Sequence, residues 1–505
     1  MRALLIYPAY PNTFWSFRHA LKLIHKKATH PPLGLLTVAS LLPKDWKLEI
    51  VDLNVNPLSE EVLKKADLVL ISAMSVQRDS TDEVIKRAKA LGKKVLAGGP
   101  LFSTFWRDYE DRVDHLILDE AEITLPRFLV DWEKGNPQKI YRADGEYADL
   151  TKSPIPSYHL LNFSPYTSMC IQYSRGCPFN CDFCDVTNLF GHAVRTKSTE
   201  QILMELENLY SLGWRGSVFF VDDNFIGGKR KVKEEVLPAL IKWQEMHKYP
   251  FYFYTQVSIN LADDEELREL MVKAGFNSVF IGIETPNEKS LEEAQKKQNL
   301  QRDLVENIKK IQKSGLEVMG GFILGFDQDP PDIFEKLINF IQESKIIIAM
   351  VGLLNAPPGT KLYQRLLTEG RIKPIFKGDN TDISTNIIPK MDYNKLIEGY
   401  KKVIRELYNS KAYYKRIEDF LDSFSIKSKF TIDRHYLKFN YGYLLGLGKI
   451  LLKFGLLEKN KFNFWKIFLK CFIKKREGLS LILAQIASGY HFREIFKEAF
   501  ENPKG

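Results

Sequence analysis

Cysteine is scarce in this chain: five residues in 505, none of them before Cys170. So few thiols over such a length cannot form a disulfide framework, and a reducing compartment, the cytoplasm, is the expected setting. Long apolar runs are missing as well. No uninterrupted stretch is long enough to cross a bilayer, so a soluble or peripheral protein is expected. The opening Met-Arg-Ala-Leu-Leu-Ile-Tyr-Pro is a short apolar run ended by proline, which reads as a first strand and not as a signal peptide. No G-x-G-x-x-G follows it, which argues against a nicotinamide or flavin dinucleotide. A second C-x-x-C pair, the usual mark of a closed zinc site, is absent too.

What the chain does have is length and unevenly placed charge. Its size implies roughly two to four domains, with ample apolar content for their cores. The net charge is +9, yet residues 392–505 alone carry 23 Lys and Arg against 12 Asp and Glu, so the rest is close to neutral. That basic stretch interleaves its lysines with Phe, Leu, Tyr and Trp465. Residues 392–423, Tyr441–Leu457 and Lys461–Lys475 read as amphipathic helices. Such helices either lie on an anionic membrane or pack on a neighbouring domain with their lysines in water. A peripheral contact at the inner face of the membrane is one expectation for this region. No RNA-binding pattern accompanies the charge, so a nucleic-acid partner is not expected.

Before the tail, short apolar strands alternate with helical patterns. Ala3–Tyr7, Lys47–Asp52, Asp67–Ser72, Lys94–Ala97 and His115–Leu118 read as strands, with helices such as Leu33–Leu42 and Thr81–Leu91 between them. The fold class expected is α/β, with a doubly wound parallel sheet over residues 1–130. Ligands in such sheets sit at the carboxyl ends of the strands. The loops there are Pro8–Phe17, Asp52–Val55, Ser72–Gln77, Gly98–Pro100 and Asp119–Glu122. Proline breaks mark residues 131–168 as a linker. The alternation then restarts, with strands expected at Met169–Ser174, Ser217–Val221, Phe251–Gln256, Ser278–Glu284, Val318–Leu324 and Ile346–Leu353. Six such steps suggest a partial (βα) barrel over residues 169–390, followed by a helical region at 391–505.

Three of the five cysteines form one compact loop, Cys177-Pro178-Phe179-Asn180-Cys181-Asp182-Phe183-Cys184, directly after the first barrel strand. Three thiolates suit a 4Fe–4S cluster whose fourth iron has no protein ligand, leaving a position open for substrate chemistry. Cys170 and Cys471 lie in apolar surroundings and read as packing residues. Arg175 and Arg195 flank the loop, where they either balance local negative charge or stand in solvent.

The cysteine spacing resembles the signature of the radical S-adenosylmethionine (SAM) superfamily, and residues 1–130 resemble the cobalamin-binding domain that precedes many of its members. Pro31–Leu36, Gly213–Gly227, Val279–Pro286 and Ala349–Leu354 narrow the resemblance to the cobalamin-dependent subfamily that includes hopanoid C-2 methylase and bacteriochlorophyll side-chain methylases. It runs through residues 1–420. The resemblance implies a 4Fe–4S cluster on Cys177, Cys181 and Cys184, with SAM on the open iron. Phe183 is implied near the adenine, and Asp223, Asn224, Gln256, Glu284 and Gly325 at the SAM site. For cobalamin it implies contacts from Asn54, Ser72, Met74, Gln77, Gly98, Gly99 and Glu120. One departure is clear: Asn54 stands where related domains carry a cobalt-ligating histidine, and an amide is a poor cobalt ligand.

The activity implied is methylation of an unactivated carbon on a small hydrophobic substrate, lipid or tetrapyrrole-like, with 5′-deoxyadenosine and S-adenosylhomocysteine as joint products. A ferredoxin or flavodoxin would supply electrons. The alternative is radical C–C coupling or cyclisation in lipid or natural-product biosynthesis, with the first domain not used for methyl transfer. Methylthiotransferases usually carry additional cysteines in their first domain, and here that region has none.

Overall fold

Five short apolar segments form the first sheet because both of its faces are covered by helices, so each strand can be apolar throughout. In the computed structural model, which describes residues 1–373, 376–379, 381–425, 427, 429–430, 436, 442–475 and 478–501, these are β1 (Arg2–Tyr7), β2 (Lys47–Asp52), β3 (Leu68–Ser72), β4 (Lys94–Gly98) and β5 (His115–Ile117). A sixth strand, β6 (Ile140–Tyr141), pairs parallel to β5 from within the stretch expected as a linker. Two residues are too few for a periodicity to show. The order is β2-β1-β3-β4-β5-β6, all parallel, which places a topological switch between β1 and β3.

The second sheet is also parallel, in the order β7 (Ser168–Ile171), β10 (Gly216–Phe220), β11 (Phe251–Gln256), β12 (Phe276–Glu284), β13 (Glu317–Leu324) and β14 (Ala349–Leu353). Its first and last strands do not pair among the described residues, so the barrel is open on one side. The strand expected to run to Ser174 ends at Ile171. Beyond it, the Tyr173 and Ser174 amides turn to the Asp222 carboxylate, and Ser174–Arg175 (β8) pairs antiparallel with Arg195–Thr196 (β9). Likewise the last strand starts at Ala349 rather than Ile346. Along these strands, side chains alternate between two surroundings. Val218, Phe220, Phe253, Val279 and Ile281 are buried against the outer helices, while Phe219, Tyr254, Phe280, Met319 and Met350 face inward and are half-buried.

The tail packs against the barrel and against the segment that follows β1 in the first domain. Helices Tyr393–Tyr408 and Ser410–Ser423 bury Tyr400, Leu407, Tyr413, Ile417 and Phe420. Helices Gly442–Leu452 and Lys461–Lys474 follow; Tyr441, expected to open the first of them, lies outside the described residues. A helix not anticipated from the sequence, Leu479–Glu501, reaches back to the first domain, where Phe492 stacks on Phe14 with ring centroids 4.0 Å apart. No helix among the described residues is long and apolar enough to cross a membrane.

Candidate active site

The cluster loop is set by what precedes it. Asp222 is fully buried and accepts the Ser174 hydroxyl at 2.5 Å as well as the two backbone amides, so the end of β10 clamps the chain as it leaves β7. Gly176 then takes a left-handed φ of +93°, and a Cβ there would lie 2.4 Å from the Ala193 carbonyl oxygen. Past this bend come Cys177, Cys181 and Cys184, all half-buried and free of disulfides. No group of three His, Cys, Asp or Glu among the described residues converges on a single ion.

The strand ends around this loop carry charge in a low-dielectric setting. Burial pushes the Asp223 carboxyl up to about 7, with negative Asp222 and Asp185 adding to it. Asn224 is buried and accepts the Ser258 amide at 3.2 Å, so it braces the loop after β11. Glu284 ends β12 with φ +69° and pairs with Lys296 at 2.6 Å. Gly282 makes that pair possible: a Cβ there would meet Glu284 Oε1 at 2.4 Å and Lys296 Nζ at 2.9 Å. The half-buried Lys296 ammonium also stands 5.9 Å from the Phe183 ring. Phe183 meets Phe326 edge-on, at 6.3 Å. Gly325, at φ +105°, donates its amide to Asp329, whose carboxyl burial raises to about 6. Gln256 closes β11 on the inward face.

At the first sheet, the expected residues sort into two groups. Ser72, Met74, Gly98 and Gly99 lie at the carboxyl ends of β3 and β4, where Met74 is exposed. A Cβ on Gly99, at φ +91°, would come within 2.8 Å of Ser72 Oγ, so glycine at this corner lets the ends of β3 and β4 pack closely. Asn54 and Gln77 are engaged internally. Asn54 accepts the Tyr10 amide at 2.8 Å and donates to Asp52 at 2.8 Å and to the Pro8 carbonyl. Gln77, fully buried, accepts the Met74 amide and donates to the same carbonyl.

Glu120, expected among the cobalamin contacts, instead bonds Arg175 at 2.9 Å and Arg195 at 2.9 Å, and accepts the Ala148 amide. Glu122 adds a second carboxylate to Arg175 at 2.7 Å. Arg175 and Arg195 therefore balance carboxylate charge, one of the alternatives open in the sequence, rather than standing in solvent. The carboxyl end of β5 is tied directly to the start of the cluster loop.

Three comparisons bear on this arrangement. A family model for the B12 binding domain matches residues 23–129, one for the radical SAM superfamily matches 171–341, and a domain of unknown function (DUF4070) matches 360–504. An uncharacterised methyltransferase of Synechocystis sp. is 44% identical over 468 residues, covering 92% of this chain and 86% of the relative. The hopanoid C-2 methylase of Rhodopseudomonas palustris is 32% identical over 490 residues, covering 95% and 92%. The chain belongs to the cobalamin-dependent radical SAM methyltransferases. Among solved structures, the cobalamin-dependent SAM radical enzyme OxsB shares the fold with a TM-score of 0.61 at 16% identity, over 99% of this chain and 81% of that one. The radical SAM methyltransferase TsrM from Kitasatospora setae gives 0.58 at 15% identity, over 74% and 76%.

As a member of this family the protein uses a 4Fe–4S cluster, SAM and cobalamin. The residues present fit that set. Three partly exposed thiols on one loop offer an open cluster its ligands, with the Lys296 cation beside them. Met74 stands exposed at the carboxyl ends of β3 and β4, where a ligand of such a sheet sits, whereas both amide protons and one lone pair of Asn54 are already engaged within the domain, and an amide is a poor cobalt ligand. Lys296, Asp329, Asp222 and Glu122 were not singled out from the sequence. Asp222 and Glu122 lie in strand-end segments that the pattern marks, whereas Lys296 and Asp329 sit in no motif.

Proposed function

We propose that the protein methylates an unactivated carbon of a small hydrophobic acceptor, lipid or tetrapyrrole-like. The observation that carries this reading is that Glu120, Arg175 and Arg195 join the carboxyl end of the first sheet to the start of the cluster loop, so the two cofactor modules meet at their ligand-binding ends. When bound, the cluster with SAM supplies hydrogen abstraction and the corrinoid supplies the methyl group, chemistry that no side chain can perform on an alkyl carbon. The chain's own part is placement. Lys296 offers a cation for the SAM carboxylate and Asp223 an acceptor for its amino group. The inward face of the barrel offers the acceptor an apolar wall of Phe219, Phe280, Met319 and Met350. Two residues of the first domain close over that wall. Trp15 meets Phe280 edge-on at 5.4 Å, and His30 bonds the Tyr254 hydroxyl beside Phe219. Burial pulls the His30 imidazole down to about 4, so it is neutral near pH 7 and keeps the wall uncharged.

The relatives support the same reading: hopanoid C-2 methylase acts on a hopanoid, and the bacteriochlorophyllide d C-12(1)-methyltransferase of Chlorobaculum tepidum, 25% identical, on a tetrapyrrole. In this proposal the protein is cytoplasmic, receives electrons from a ferredoxin or flavodoxin, and meets its acceptor at a membrane surface through its tail. The test is anaerobic reconstitution with cluster, cobalamin, SAM, reductant and a lipid extract from the source cells. Equal amounts of 5′-deoxyadenosine and S-adenosylhomocysteine, with labelled methyl in an extracted lipid, are expected. Deoxyadenosine without S-adenosylhomocysteine would overturn methylation in favour of radical coupling.

A further inference from the structure

The tail holds two helices with apolar side chains on both sides. In Gly442–Leu452, continued by a wider turn over Lys453–Leu457, Ile450 and Phe454 are buried. Leu445, Leu452 and Leu456 are exposed on the opposite face, with Lys449 between them. In Lys461–Lys474, Phe464, Ile467 and Cys471 are buried, while Phe462, Leu469 and Ile473 are exposed around Lys466. Both exposed stripes follow the same spacing, i, i+4, i+7, i+11, which keeps their members on one side of a helix. An ordinary surface helix is polar there. The stripes converge on the turn, where Leu457 is 74% and Phe462 78% exposed. That turn is braced: Trp465 donates to the Gly455 carbonyl at 2.9 Å and covers the space a Gly455 side chain would need.

We propose that this helix–turn–helix, residues 442–474, is the element that inserts into an anionic membrane, turn first. The assignment rests on the reading that the acceptor is drawn from a membrane. Charge selects the bilayer over a second copy of the chain. Lys449, Lys459 and Lys461 make no ion pair among the described residues, and the turn's one acid, Glu458, is paired with Arg493. In a self-paired interface these lysines would face lysines. At a membrane their stems follow the apolar stripe and their ammonium groups reach lipid phosphates. A contiguous exposed apolar patch of this kind marks an interaction site rather than free surface.

The experiment is co-sedimentation of the full chain with vesicles of phosphatidylcholine alone or mixed with phosphatidylglycerol. Wild type is expected to pellet with the anionic vesicles and to be released by high salt. The pair Leu457→Glu/Phe462→Glu is expected to lower partitioning at least about tenfold, and Lys459→Glu/Lys461→Glu to abolish the preference for phosphatidylglycerol. These side chains stand in solvent, so circular dichroism and SAM cleavage should be unchanged. Wild type that fails to pellet would overturn the proposal, as would a Leu457/Phe462 variant that pellets equally well. A lipid-free dimer that the same variant dissociates, without any vesicle binding, would assign the stripe to self-association instead. Formation of 5′-deoxyadenosine and S-adenosylhomocysteine with a detergent-dispersed lipid extract is measured in parallel, so that a failed insertion element and a failed methylase reading remain separate results.

Discussion

Lys296 and Glu284 share a buried pocket beside the cluster loop, and each is costly to leave alone there. Lys296→Met is therefore expected to do two things. It removes a cation offered to the SAM carboxylate, and it strands the Glu284 charge. A charge-assisted hydrogen bond of about 1.5–3 kcal/mol corresponds to a roughly ten- to hundredfold weaker SAM affinity. The double variant Glu284→Gln/Lys296→Met restores neutrality without restoring the cation. Equilibrium binding of SAM should stay weak in both variants, while thermal stability should recover in the double one. Recovery of SAM affinity in the double variant would mean that Lys296 only neutralises Glu284. Gly176 tests the loop itself. Gly176→Ala forces a side chain into φ +93° and into a carbonyl oxygen 2.4 Å away, a strain of about 1–3 kcal/mol or a displaced loop. Iron content after reconstitution should fall, with far-ultraviolet circular dichroism unchanged.

Among the elements, helix Leu479–Glu501 joins the first domain to the barrel, and one histidine reports on that joint. His491 is buried, receives the His19 amide at 3.3 Å and points its other nitrogen at the Thr13 and Phe14 carbonyls. Burial is the main reason its imidazole falls to about 4, with His19 and Arg18 adding to it; the two backbone carbonyls act in the opposite sense. An unfolded histidine takes its proton near 6.5. The unfolded chain thus binds the extra proton between those values, so this group's contribution is complete above about 6.5 and is lost as the pH falls toward 4. The melting temperature of wild type should drop over that window more steeply than that of His491→Asn. Phe492→Ala, which removes the ring stacked on Phe14, should cost about 3–5 kcal/mol in urea unfolding. This helix was illegible in the sequence because Ala487-Ser488-Gly489 interrupts its apolar pattern. The interruption has a packing reason: a Cβ on Gly489 would lie 2.3 Å from the Tyr413 ring. The barrel strands, by contrast, were legible to within three residues, since apolar runs bounded by glycine and polar ends persist through every one of them.

For the whole molecule, the question is how two cofactor modules keep a fixed relation. The cysteine loop and the strand-end acids could be read from spacing, because each lies within one local segment. The link between modules could not. Glu120 and Glu122 stand more than fifty residues from Arg175 and further still from Arg195, and nothing local marks them as partners. Glu120 is almost wholly buried, and its two arginines are nearly so, which makes the cluster intolerant of losing one member. Glu120→Gln keeps shape and hydrogen-bonding capacity but removes the charge that holds both guanidinium groups. Each module should survive this change, since the cysteines, Lys296 and the glycine corner are untouched. What should change is their alignment. Hydrogen abstraction needs only the barrel, whereas methyl delivery needs the first domain held in a fixed position against it. The expected signature is therefore a changed product ratio. In Glu120→Gln, 5′-deoxyadenosine should still form at close to the wild-type rate while S-adenosylhomocysteine falls about tenfold or more, a misplacement effect of the size that small errors in geometry produce. Bound corrinoid, read by absorbance, should remain stoichiometric. If both products fall together, the clamp acts by stabilising the fold; if neither falls, the modules are aligned by the tail helix alone, and Phe492 becomes the position to change next.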